Sequence, residues 1–184
     1  MKKNIIELGM ILFLGLLMPL NAMGAGDSAS VSSALTLSIT PTAQIAIVTN
    51  ATFSMALGGA TQAGAAVSDS SINSASRLRI SSLVDATTRS ITAIATSITA
   101  TNTQLWVQLG APNGNFNGAK GTLAASQNLT SGDSVTLASE IATCWSGIGG
   151  DDGYSITYIF RRGAGTVFTS PGAVVVTYTL SGAV

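Results

Sequence analysis

Apolar and polar residues alternate with a period of two in several short stretches of this chain. The alternation is most regular in residues 34–40 (ALTLSIT), where Leu35, Leu37 and Ile39 would share one face and the Ser and Thr residues the other. Successive side chains of a β-strand point to opposite faces, so this segment predicts a strand with one apolar face. Pro41 ends it, because proline lacks the N–H that a strand ladder uses.

The C-terminal part predicts two long strands joined by a turn-rich connection. Residues 154–160 (YSITYIF) and 172–181 (GAVVVTYTLS) are composed largely of β-branched and aromatic residues, which favour strands. In the second of them Val176, Tyr178 and Leu180 would face a core, with threonines on the opposite face.

The rest of the chain offers further strand candidates and two looser intervals. Residues 58–76 are rich in Gly, Ala and Ser and predict a long connection, with a short strand or a helical turn near residues 65–72 as an option. Residues 110–121 carry two Asn-Gly pairs that favour a loop or wide hairpin. In residues 89–99 the isoleucine spacing also fits a helix, but the Thr and Ile content favours a strand. The remaining strand candidates are residues 43–49, 52–57, 77–81, 104–109 and 134–141. In residues 77–81 the alternation predicts that Leu78 and Ile80 face inward and that the two arginines face outward.

Together these segments predict an all-β protein. Roughly eight to ten short strands separated by turn residues, with no repeat of 20 to 50 residues, indicate an antiparallel β-sandwich of immunoglobulin-like or jelly-roll type, with a barrel as the alternative. We expect one domain over residues 34–184, a length that can bury a core of its own.

The N-terminal residues predict export. Lys2 and Lys3 precede an apolar run from Leu8 to Leu20, and small residues follow it. This is the pattern of a secretory signal peptide, which we assign to residues 1–24, with residues 25–33 as a flexible leader. The alternative is a membrane anchor, but about 13 apolar residues are too few for a span of roughly 20, so we expect no membrane span after cleavage and a secreted or cell-surface location.

Charge is scarce in this protein, at 9% of residues. After residue 24 there are six basic and seven acidic residues, a net charge near −1. Such a balance gives no electrostatic footprint for nucleic acid and no basic face for an anionic membrane.

Few residues suit catalysis. Histidine is absent, and no nucleophile, nucleotide or zinc motif is present, so we expect neither an enzyme nor a cofactor. A carboxylate pair for sugar hydrolysis would have to come from acids such as Glu140 and Asp151 meeting in three dimensions. Calcium bound by Asp133, Asp151 and Asp152 is a second possibility, although Asp-Gly pairs are routine turn formers and the EF-hand spacing is missing.

The single cysteine, Cys144, excludes a disulfide within the chain. Beside Trp145 it is expected to be a small buried hydrophobe, the alternative being a cross-link between chains. Trp106 and Trp145 are candidates for a glycan-binding platform, with core packing as the competing interpretation.

The signal peptide, the size, the Ser/Thr/Gly-rich composition and the alternating segments at both ends resemble the fimbrial subunits of bacterial chaperone-usher systems. The chain also resembles short Gly/Ser/Thr-rich secreted bacterial proteins of unknown function. The fimbrial resemblance implies an incomplete immunoglobulin-like sandwich completed by the N-terminal strand of a neighbouring copy. The chain departs from that family in lacking the usual disulfide and in ending with Ala183 where an aromatic residue is common at the penultimate position.

The candidate partners are therefore a second copy of the chain or a surface glycan. Strand addition would use Leu35, Leu37, Ile39, Val176, Tyr178 and Leu180. The competing interpretation is that residues 34–40 pair within their own sandwich.

Overall fold

A computed structural model describes residues 32–96, 98–165 and 167–182 of the protein. The predicted signal peptide, most of the leader and Ala183 lie outside these residues. The chain divides into two units, Met1–Leu37 and Ser38–Val184. All the strands of the described residues belong to the second unit.

The described residues form eleven strands. Four of them are two-residue strands that extend the sheets at their margins, and β2 is the longest, with 14 residues. The strands are β1 (Thr42–Val48), β2 (Ser70–Leu83), β3 (Arg89–Ala95), β4 (Thr103–Asn113), β5 (Asn117–Gly118), β6 (Thr122–Leu123), β7 (Gln127–Asn128), β8 (Val135–Ile141), β9 (Cys144–Trp145), β10 (Gly153–Arg162) and β11 (Val176–Gly182).

These strands build two antiparallel sheets that pack into a sandwich. The first sheet has seven strands in the order β5-β9-β2-β10-β4-β7, with β1 also pairing with β2, and the second has four in the order β11-β3-β8-β6. The all-β class and the sandwich predicted from the sequence are confirmed. Throughout the described ranges there is no helix at all, and hence none of the length and apolarity that a membrane crossing needs.

The long strand β2 organises the first sheet. Along one of its edges it pairs first with β10 and then, at Ser81 and Ser82, with β9. Along the other edge its last seven residues pair with β1. Its C-terminal half follows the alternation expected from the sequence, since Leu78 and Ile80 are buried in the core.

The core lies between the two sheets and is made of the inward-facing residues of both. Burying one such aliphatic or aromatic side chain contributes about 1.5–3 kcal/mol, so these positions dominate the stability of a chain without a disulfide. The largest fully buried apolar side chains are Leu78, Ile91, Val107, Leu109, Leu129, Leu137, Ile141, Tyr154 and Ile156.

The sequence interpretation was wrong at three places in the first sheet. Residues 110–113, expected in a loop or wide hairpin, are the last four residues of β4. Residues 52–57 form no strand, although Phe53 still packs its ring against Tyr158 at 5.1 Å. Residues 70–76, expected in a long connection, are the first half of β2 and pair with β10, for example Ile72 with Ile159. Most residues of this half are small and polar, so the local sequence does not predict a strand. The strand forms there because it pairs with β10.

Two boundaries also differ from expectation. The C-terminal strand begins at Val176, later than the sequence predicted, and the strand predicted over residues 89–99 is β3, which ends at Ala95. Because β3 pairs with both β8 and β11, the helical alternative for that segment is excluded.

Candidate functional site

The N-terminal alternating segment is not a strand in this chain. Residues 32–41 have no regular secondary structure and pair with no strand that the structure describes, so the predicted strand over residues 34–40 is wrong for the single chain. Its three apolar side chains are exposed, with Leu35 at 77%, Leu37 at 82% and Ile39 at 63% of their full accessibility.

The C-terminal strand β11 lies at the edge of the second sheet. Among the described strands its one partner is β3, so its other edge has no ladder. Tyr178 and Leu180 are buried as the alternation predicted, each 9% exposed, and Val176 is half-buried.

Strand β1 is likewise an edge strand, of the first sheet. It pairs with β2 on one side, and β11 of the opposite sheet lies next to it. We call this side of the sandwich, formed by β1 and β11, the β1/β11 edge. Ile45 and Ile47 stand opposite the core residues Ile80 and Leu78, yet they are only half-buried.

The β1/β11 edge therefore leaves part of the apolar core incompletely covered. Ile45, Ile47 and Val176 all pack against the core while keeping part of their surface accessible. An edge strand presents unpaired N–H and C=O groups, so this side offers both a backbone ladder and apolar contacts to another strand. The sequence predicted β1 as a strand, but nothing in a single sequence marks which strand will lie at an edge.

Tyr178 also ties β11 to the first sheet. Its hydroxyl donates a hydrogen bond to the hydroxyl of Tyr158 on β10 at 2.8 Å, and both side chains are buried. Burial raises the pKa of both phenols, because the charged form would lose its hydration.

No known protein family, curated protein or solved structure matches this chain.

The structure places the two tryptophans on one sheet face but far apart. Both lie on the outer face of the first sheet, since their neighbours Leu105, Val107 and Cys144 point into the core. Trp106 pairs with Ile159 of β10, which pairs in turn with Ile72 of β2, so Trp106 lies level with Ile72 across the sheet. Trp145 pairs directly with Ser81 of β2.

Ile72 and Ser81 are roughly 30 Å apart along β2, at 3.3 Å per residue. The two indoles therefore do not form one platform for a short glycan. The Arg161 guanidinium also lies over the ring of Trp106, 4.1 Å from its centroid. Trp145 is 50% exposed, so core packing is the wrong interpretation for it.

The acidic residues are dispersed. Glu140 lies on β8 of the second sheet and accepts a hydrogen bond from Thr122, whereas Asp151 is in the loop after β9. In the described ranges no three acidic or cysteine side chains meet in a group that could hold a metal.

Asp152 has a structural role in its loop. Its buried carboxylate accepts hydrogen bonds from the backbone N–H of Asn115 at 3.0 Å and of Gly149 at 2.6 Å. Those two bonds, helped by the nearby Arg79 guanidinium, lower the pKa of Asp152. The residue thus joins the loop before β10 to the loop after β4.

Cys144 is buried beside the core, as the sequence predicted. Desolvation raises the pKa of its thiol to about 11. A buried thiol that stays protonated is a poor nucleophile, so the native chain offers no ready thiolate for a cross-link.

Proposed function

We propose that this protein is an exported structural subunit that assembles with copies of itself by strand addition. Residues 34–40 of one copy add as a strand to the β1/β11 edge of another. The observation that carries the proposal is that one chain holds both an unpaired, alternating, exposed segment and an open sheet edge with a partly exposed apolar lining. The location at the cell surface or outside the cell rests on the apolar run and small residues at the N-terminus.

The two surfaces match in length and chemistry. The segment and β11 are each seven residues long, so a full ladder can form along the strand. In a strand the apolar side chains of the segment would share one face and cover the half-buried Ile45, Ile47 and Val176, while its Ser and Thr residues face water. Ladder hydrogen bonds would supply affinity, and the alternation would supply the register.

The position of Pro41 favours addition to another copy. Pro41 immediately precedes β1 and lies in a pocket beside Gly182, the last residue of β11. To run along the edge of its own chain, the segment would have to reverse direction at Pro41 without a connecting loop. Hairpins need at least two loop residues, so this reversal would dismantle the start of β1.

Assembly is tested on the mature chain by size-exclusion chromatography with light scattering and by negative-stain electron microscopy. The donor variant replaces Leu35, Leu37 and Ile39 by Ser and leaves the edge intact. We expect the wild type to form chains of subunits and the variant to be a folded monomer. The matched control exchanges the other face (Thr36→Ser, Ser38→Thr, Thr40→Ser), keeps the alternation and should assemble as the wild type does.

The acceptor edge is tested with the same donor variant. A synthetic peptide of residues 32–41 should raise its melting temperature, because a ligand that binds only the native state stabilises it. A peptide of the same composition with its apolar residues adjacent should not. A monomeric wild type, together with no response to the first peptide, would overturn the proposal.

A second candidate function is glycan binding at Trp145, favoured by the half-exposed indole and by the neighbouring Ile148, which is almost fully exposed. An exposed aromatic ring is a surface on which a sugar can stack. Fluorescence quenching by a glycan panel tests it: the response should vanish in Trp145→Ala and persist in Trp106→Phe. Loss in neither variant would reject this site.

A further inference from the structure

A surface pocket of about 540 Å³ lies at the C-terminal end of β10, on the same sheet face as Trp106. The residues that line it are Asp69 and Ser70, then Ile159, Arg161 and Arg162 of β10, and Gly163, Gly165 and Phe168 of the loop after β10. This volume is in the range of small-molecule sites. The pocket shares no lining residue with the β1/β11 edge, so ligand binding there does not depend on strand addition.

The loop that closes the pocket is fixed by Asn102. The backbone N–H of Gly163 donates to the carbonyl of Asn102 at 2.7 Å, and the Asn102 side chain donates to the carbonyl of Val167 at 2.7 Å. A second pair of hydrogen bonds joins Thr101 and Thr169. Gly163, Val167 and Thr169 are therefore held in place, which lowers the cost of ordering them when a ligand binds.

Arg161 is held in one orientation by two neighbours. Its Nε donates to Gln104 Oε1 at 3.2 Å, and its guanidinium lies over the Trp106 ring. The indole Nε1 of Trp106 donates to the same Gln104 oxygen at 3.1 Å, so the amide fixes ring and guanidinium together.

The described residues place no acceptor on the two terminal nitrogens of Arg161. A guanidinium fixed in this way presents a planar fork of N–H donors that matches the two oxygens of a carboxylate.

An ion pair also lines the pocket. Arg162 stacks over Phe168 at 4.5 Å and pairs with Asp69 at 3.2 Å. The Asp69 side chain is 89% exposed, so much of its carboxylate is free to accept further hydrogen bonds. Two arginines against one aspartate leave the pocket with one net positive charge.

The ligand that suits these groups carries a carboxylate and hydroxyl groups on one small apolar frame. The carboxylate would pair with the fork of Arg161, a hydroxyl would donate to Asp69, and the C–H surface would contact Ile159 and Phe168. An acidic peptide fits less well, because Asp69 would repel its further carboxylates. We propose that this pocket binds a hydroxylated carboxylate of the uronic acid type.

Isothermal titration calorimetry on the mature chain tests the site with sodium glucuronate, glucose and sodium acetate. Glucuronate should bind saturably, and glucose, which lacks the carboxylate, and acetate, which lacks the hydroxyls, should each bind at least about ten-fold more weakly. Equal binding of acetate would overturn the assignment of a hydroxylated ligand. The absence of saturable glucuronate binding would overturn the site.

Variants locate the binding. Arg161→Gln should abolish it, and Arg161→Lys, which keeps the charge but loses the fork, should weaken it about ten-fold. The control Arg77→Gln removes the same charge from the same sheet at an arginine that donates to the carbonyls of Ser74 and Ser76, and should leave affinity unchanged. Should Arg161→Gln fail to fold by circular dichroism, Arg161→Lys and Asp69→Asn carry the test. Undiminished binding in these folded variants would contradict the proposal.

Discussion

The hydroxyl of Tyr178 on β11 meets the hydroxyl of Tyr158 on β10 at 2.8 Å inside the core, so one hydrogen bond joins the two sheets. It links β11, one of the two strands of the β1/β11 edge, to the opposite sheet. With no disulfide available, this contact helps to hold the edge strand β11 against the first sheet.

Removing either hydroxyl should leave the other buried and unpaired. Tyr178→Phe or Tyr158→Phe should each lower the free energy of unfolding by about 1–2 kcal/mol, and the double variant should lose less than the sum of the two. Urea unfolding followed by circular dichroism measures the cycle. Strict additivity would show that the two hydroxyls do not interact.

All three tyrosines should resist ionisation in the folded protein. Burial raises the pKa of Tyr154, Tyr158 and Tyr178 above the ordinary value of about 10. Below pH 10 these phenols are protonated in both the folded and the unfolded chain, and the folded state keeps its full stability. Above pH 10 the unfolded chain releases protons that the folded chain keeps, so the free energy of unfolding falls as the pH rises.

Absorbance at 295 nm therefore should stay flat through pH 10 and rise only together with loss of the circular dichroism signal. The same titration in 8 M urea supplies the control, with tyrosines ionising near pH 10. A smooth rise at pH 10 in the folded protein would contradict the burial of these phenols.

Asp152 should make the protein sensitive to acid. The hydrogen bonds from Asn115 and Gly149 lower its pKa. The stability that its carboxylate adds to the folded state is therefore present above the ordinary pKa of about 3.9 and is lost as the pH falls below that value. Asp152→Asn should lower the melting temperature at pH 7 and flatten its decline between pH 4 and pH 2. The exposed neighbour provides the control: Asp151→Asn should keep the wild-type profile, and an identical profile in both variants would reject this role for Asp152.

Gly153 should tolerate no side chain. It begins β10 with a φ of 102°, and a Cβ there would lie 2.4 Å from the carbonyl oxygen of Leu78. Gly153→Ala should cost about 2–3 kcal/mol of unfolding free energy, since both the backbone conformation and the contact oppose it. Gly150→Ala, in the preceding loop with open space around it, should change stability by less than about 0.5 kcal/mol in the same thermal or urea assay.

The local alternation of apolar and polar residues predicted the strands that have one face in the core and the other in solvent. Leu78 and Ile80 were expected inward on β2, and Tyr178 and Leu180 inward on β11, and the structure buries all four. The same reasoning missed the first half of β2. Its residues are small and polar, and only the long-range ladder with β10 makes them a strand.

The candidate sites depended still more on tertiary structure. The apolar pattern of Leu35, Leu37 and Ile39 was visible in the sequence, but whether they pair was not. The sequence did not distinguish Arg161 from Arg162. The proposed role of Arg161 depends on Trp106 and Gln104, which are more than fifty residues away along the chain. They become its neighbours only because β4 pairs with β10.

By itself, then, the sequence determined the strand-forming stretches, their buried faces and the class of the fold, because side-chain chemistry and the two-residue period of a strand act locally. Only the tertiary structure decided that β1 and β11 are edges among the described strands, that residues 34–40 form no strand there and that Arg161 is held over Trp106. Those features depend on which strands become neighbours, and that choice is made by the packing of the whole sandwich, at sequence separations where a local pattern carries no information.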